Sequence, residues 1–154
     1  MAEKGKYVYD WPRPMVTVDA IVFWIDLETP KVLLIKRNND PFKGQWAIPG
    51  GFIELDEELD HAVARELQEE TGLKNVPLTQ MHTFGTIGRD PRGRQITITY
   101  LGTVTGRNIP IKGGDDASEA KWFPITTLPT NLAFDHADVL KMAIQRLELL
   151  NFDH

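Results

Sequence analysis

The sequence predicts an α/β sandwich in which a mixed β-sheet carries helices on both sides. β-rich runs and two helical patterns are interspersed along one compact chain. No repeat, low-complexity segment or linker divides them. The 154 residues suffice for one domain with a real core rather than for two.

The elements follow in chain order. Residues 1–14 form an N-terminal arm in which Pro12 and Pro14 forbid regular structure, and Tyr7, Tyr9 and Trp11 alternate as if to lie on the domain or a partner subunit. Residues 15–150 are the single folded domain. Met15–Ile25 is apolar on both faces apart from Thr17 and Asp19, which predicts a central strand. Asp26–Pro30 reads as a turn and Lys31–Lys36 as the partner strand. The Asn38-Asn39-Asp40-Pro41 stretch is a loop, and Trp46–Pro49 leads into the first helical pattern. Leu78–Ile87 and Gln95–Thr105 are two further strands, joined by a turn with three arginines. A polar Gly-rich loop covers 108–118, and Glu119–Pro124 is a short strand. Asp135 is placed to N-cap a last helix through Leu150, with Val139, Leu140, Ala143, Ile144, Leu147 and Leu150 as its apolar face.

The first helical pattern organises the chain. It starts from the turn-forming Pro49-Gly50-Gly51 and runs uninterrupted to Gly72, a helix-ending glycine expected at positive φ. Six of the 23 residues from Gly51 to Leu73 are Glu. With Glu66 at zero, Glu70 falls near ~40° on the helical wheel and Glu69 near ~300°, while Leu59, Val63 and Leu67 fall at about 20°, 60° and 100°. Two of the three carboxylates therefore overlap the stripe that should face the core. Like charges at this spacing repel, and burial without a cation is costly. Only Arg65 is local. A divalent metal ion held by oxygen ligands answers the problem better, and because Mg²⁺ shares its shell between carboxylates and substrate phosphates, phosphate chemistry is the first hypothesis.

Composition removes several classes. The content of 42% hydrophobic and 25% charged residues is ordinary for a globular protein. A net charge of −5 argues against general attraction to nucleic acid. The absence of cysteine removes disulfides, thiolate metal sites and Cys nucleophiles, and no His pair has zinc spacing. No apolar run approaches a membrane span and the N-terminus lacks a signal-peptide core, so no membrane partner and a cytoplasmic location are expected.

Gly51, Glu57, Arg65, Glu66, Leu67, Glu69, Glu70, Gly72 and Leu73 fill, without departure, a pattern that resembles the Nudix box. The resemblance implies a Nudix-type α/β/α sandwich, a mixed β-sheet flanked by helices. It also implies hydrolysis of a nucleoside diphosphate linked to another moiety, with Mg²⁺, for which Mn²⁺ can substitute. Carried over residue by residue, Glu66, Glu69, Glu70 and the Gly50 carbonyl are the metal ligands. Arg65 and Glu57 pair to hold loop and helix in register, and Gly51 and Gly72 support the box. Glu69, Glu70, Glu119 and Arg65 are the residues expected to serve catalysis. The general base differs among these enzymes. Asp115, Asp116 and Glu119 are the acids outside the box, with Glu119 placed first because it adjoins the strand that follows.

The flanking motifs resemble the ADP-ribose pyrophosphatase branch: FGTIGRDPRGRQITITYLG, GGDDASEAKWF and LAFDHADVL, with Pro91 standing 18 residues beyond Leu73. That branch implies ADP-ribose as substrate, AMP and ribose 5-phosphate as products, and a homodimer. Arg89, Arg92 and Arg94, with Pro91, are the expected substrate-binding residues, since a guanidinium fork matches phosphate oxyanions. The alternatives kept open are another nucleotide substrate (an oxidised or non-canonical triphosphate, NADH or a dinucleoside polyphosphate) and an ADP-ribose-sensing regulator. Regulators of that kind carry a C-terminal winged helix, whereas this sequence stops at His154, and they often have degenerate boxes.

Overall fold

The computed structural model describes residues 5–114 and 116–152. Its elements run β1 (Met15–Trp24), β2 (Lys31–Arg37), β3 (Trp46–Ala47), β4 (Gly50–Phe52), α1 (Leu59–Thr71), β5 (Thr79–Phe84), β6 (Gln95–Val104), β7 (Ala117–Pro124) and α2 (His136–Phe152). The seven strands form one sheet along the order β3-β2-β1-β6-β5, with β4 paired to β1 and β7 to β2. β1 and β6 run parallel in unbroken register from Met15↔Gln95 to Trp24↔Val104, and the other pairings are antiparallel. The sheet is mixed and β1 is central, as its two-faced apolar sequence predicts.

Side-chain alternation assigns the two faces. Val18, Ala20, Val22 and Leu33 pack with Ala62, Val63 and Leu67 of α1. Ile21, Phe23, Val32 and Leu34 pack with Val139, Leu140, Ala143 and Leu147 of α2. One helix therefore covers each side. The second face is apolar only along part of its length, because Thr17 and Asp19 continue the series of Ile21 and Phe23 and are buried. That polar end becomes the floor of the cleft described below.

The start of the first helix and the capping of the last differ from the sequence reading. The helix does not follow directly from Gly51. Gly50–Phe52 pairs with β1 through Thr17↔Phe52, Val18↔Gly51 and Asp19↔Gly50, and α1 begins at Leu59, where Glu58 makes no side-chain cap. The Asp135 carboxylate does not serve as a helix cap either. Its main-chain carbonyl accepts from Asp138 and Val139 N–H, while both side-chain oxygens accept from Arg89. Gly72 does end α1 in the left-handed region at φ 76°, its N–H on the Gln68 carbonyl. In the arm, residues 5–14 have neither helix nor strand and are exposed, with Trp11 at 78%.

Candidate active site

β4 and α1 bring the box together. Glu66 and Glu70 are each only 4% exposed, whereas Glu69 faces solvent, as their angles on the wheel predict. The Gly50 N–H donates to Glu70 Oε1 at 2.7 Å, leaving Oε2 without a donor among the described residues. Burial, then the charges of Glu66, Asp19 and Asp116, push the Glu70 carboxyl well above its ordinary range. Gly51 lies against Glu66: a Cβ there would stand 2.6 Å from its Cδ and Oε1. The chain needs glycine at 51 to seat a buried carboxylate.

Arg65 is the local counter-charge. Its Nε and Nη2 hold Glu57 bidentately at 2.6 and 2.8 Å, Nη1 reaches Glu66 at 2.9 Å and Glu69 at 3.2 Å, and Nη2 also donates to the Phe52 carbonyl. Those bonds depress the Glu57 carboxyl to about 2. Loop, strand and helix are thereby tied at one guanidinium.

Arg37, Arg89 and Arg92 line the same cleft as Glu66 and Glu70. Arg89 is fully engaged by Asp135 and the Thr97 hydroxyl. Arg92 makes a fork on Asp90, whose carboxyl burial raises but whose bonds from Arg92 bring it below its ordinary value. Arg37 donates to the Pro41 carbonyl at 2.7 Å, lies over the Phe134 ring, and has no carboxylate partner among the described residues. Burial, and then Arg92, lower its pKa. Cationic and anionic side chains thus line one cleft.

The structure thus brings Gly50, Gly51, Glu66, Glu70, Arg89 and Arg92 to one cleft, with Asp116 beside them. Arg94 instead donates to the Gly85 carbonyl, and Pro91 is exposed outside the lining. Glu119 is exposed on β7 opposite Lys36 and does not line the cleft either. Asp115 lies outside the described residues. Sequence reasoning missed Asp19, Arg37, Gln95 and His136. His136 is buried; its Nδ1 accepts from the Ile48 N–H at 3.0 Å and its Nε2 stands 3.4 Å from Asp19. Nothing local marks these four residues, because β1, β2, β6 and α2 assemble them across the chain.

Among the described residues no three His, Asp or Glu side chains already converge as a metal cage, and Arg65 occupies oxygens of Glu66 and Glu69. The donor set nevertheless fits a hard divalent cation. Two buried carboxylates repel each other beside Asp19, and a glycine leaves space next to them.

A model of the NUDIX domain matches residues 14–143. The chain belongs to the NUDIX family. Hydrolases of this family use divalent metal ions, and the chain is a Nudix hydrolase. It is 44% identical over 129 residues to the ADP-ribose pyrophosphatase of Methanocaldococcus jannaschii, covering 84% of this chain and 72% of that protein. It is 36% identical to the ADPR responsive transcriptional repressor NtrR of Acinetobacter baylyi, covering 90% of this chain and 56% of the repressor. Among solved structures, the NUDIX domain of Shewanella oneidensis NrtR complexed with ADP ribose superposes with a TM-score of 0.78 at 36% identity, covering 90% of this chain and 94% of that one.

The fit of Gly51 to Glu66 gives an expected result for this Nudix box. Gly51→Ala should fold, because the three atoms nearest to an added Cβ all belong to the flexible end of Glu66. Displacing that carboxylate from Arg65 should lower kcat about 10- to 100-fold, the usual cost of disturbing the support of a metal ligand. Steady-state kinetics beside a thermal melt checks both halves.

Proposed function

We propose that this Nudix hydrolase cleaves ADP-ribose to AMP and ribose 5-phosphate with Mg²⁺ bound at Glu66, Glu69, Glu70 and the Gly50 carbonyl. The observation that carries the reading is the cleft itself, which buried carboxylates and arginines line together. A pyrophosphate is the ligand class that needs both, a cation to offset its charge and guanidinium forks to meet its oxygens. The metal supplies charge neutralisation and a more acidic water. Arg37 and Arg92 bind the diphosphate, Arg89 is fixed by Asp135 in the same cleft, and Arg65 orients the carboxylates. Asp116, which lines the cleft and accepts from Asn39 at 3.2 Å, is better placed than Glu119 to take a proton from the attacking water. Asp116→Asn should flatten the acidic limb of the kcat profile, whereas Glu119→Gln should leave it intact. The reverse pattern would return the role to Glu119, with coupled carboxylates expected to share apparent values.

We also place the protein as a homodimer that uses its exposed Tyr7, Val8, Tyr9 and Trp11. The test of the main reading is a panel of ADP-ribose, NADH, diadenosine polyphosphates and oxidised dGTP with Mg²⁺. ADP-ribose should be turned over fastest, and preference for a triphosphate would sink the reading. Similarity to the repressor favours a second reading, a sensor, which predicts tight ADP-ribose binding without turnover.

A further inference from the structure

The floor of the cleft carries an unmet hydrogen-bonding demand. Gln95, the first residue of β6, is 6% exposed and lines the cleft, and its Oε1 is the buried side-chain polar atom without a partner among the described residues. Its Nε2 donates to the Thr17 hydroxyl at 3.3 Å. Thr17 and Thr97, opposite each other in the parallel register, share a hydrogen bond of 2.6 Å, and Arg89 donates to Thr97. Gln95 Nε2 and Arg89 only donate here, so the two hydroxyls accept both bonds and spend one hydrogen on each other. One threonine hydrogen and one carboxamide oxygen remain, on side chains that all line the cleft.

We propose that Gln95, Thr17 and Thr97 form a subsite for a sugar hydroxyl of the substrate, which rests on the ADP-ribose reading above. A hydroxyl donates to Gln95 Oε1 and accepts the free threonine hydrogen at once. A phosphate oxygen only accepts and would be repelled by the carboxamide oxygen. An amine donates but leaves the threonine hydrogen unmet. The site therefore distinguishes a hydroxylated sugar from its deoxy counterpart, because removing the hydroxyl restores the buried deficit.

The test compares kcat/KM of the wild type and Gln95→Leu on ADP-ribose and on a set of analogues, each lacking one hydroxyl of one ribose. For one analogue the wild type should lose about 10- to 100-fold and Gln95→Leu should lose almost nothing further, which identifies the ring and the hydroxyl. Equal penalties in both proteins for every analogue, or wild-type kcat/KM of Gln95→Leu on ADP-ribose, would overturn the subsite while leaving the substrate reading intact. A measurement on the wild type covers a variant that fails to fold. The side-chain amide resonance of Gln95 should shift on adding a methylene-bridged, uncleavable ADP-ribose and not on adding the corresponding deoxy compound; no shift with the former overturns the proposal. If the wild type does not hydrolyse ADP-ribose at all, the substrate reading fails first and the subsite falls with it.

Discussion

Glu70→Gln should leave the protein folded and lower kcat on the order of 10³-fold, the worth of several kcal/mol of metal-assisted charge stabilisation. The geometry explains why fold and activity separate. Gln keeps an oxygen to accept the Gly50 N–H at the 2.7 Å position, so β4 stays on α1. What it removes is a carboxylate that burial and three acidic neighbours disfavour. An acid whose folded pKa lies above its unfolded value destabilises the fold at pH values above the unfolded one, and the loss grows as pH rises. In the presence of a chelator the variant should therefore melt above the wild type at neutral pH, with the gap closing on acidification toward the ordinary carboxylate range. Adding Mg²⁺ should stabilise the wild type and leave the variant nearly unmoved. Near-wild-type turnover in the folded variant would remove Glu70 from the metal site.

How much of this was legible in the sequence depends on the range of the signal. The helix carried its own period, so the burial of Glu66 and Glu70 and the exposure of Glu69 could be read from the wheel. β4 could not, because three residues have no period and Glu58 gives no capping signal at the true helix start. The arginine turn was visible as composition, but composition did not say which guanidinium turns inward. Arg89 is drawn in by Asp135, Arg92 by Asp90, and Arg94 is left on the Gly85 carbonyl. Asp135 looked like a cap because the local rule is the only one a sequence exposes, and an ion pair 46 residues away overrode it. Gln95, Thr17 and Thr97 read as ordinary strand residues until the parallel pairing of β1 with β6 set them together.

Arg65→Met should be strongly destabilising. The guanidinium satisfies Glu57 and Glu66, each with a side chain 6% exposed, and also reaches Glu69 and the Phe52 carbonyl. Removing one partner of a buried pair strands the other charge, at a cost of about 3 kcal/mol or more, or roughly 10 °C in Tm for a domain of this size. The pH dependence tests the cause. Glu57 sits at about 2 in the folded protein against an ordinary 4.5, so the stability it draws from Arg65 is fully present above pH 4.5 and is lost as pH falls toward 2. The difference between wild type and variant in chemical denaturation should therefore be constant near neutrality and narrow through that window. A difference that stayed flat down to the acid limit would assign the loss to packing of the Arg65 stem instead. Arg65→Lys separates charge from geometry: one ammonium keeps the sign but cannot hold both oxygens of Glu57 and reach Glu66 and Phe52 as well. It should recover part of the stability, while activity, which depends on where Glu66 and Glu69 are held, should remain low.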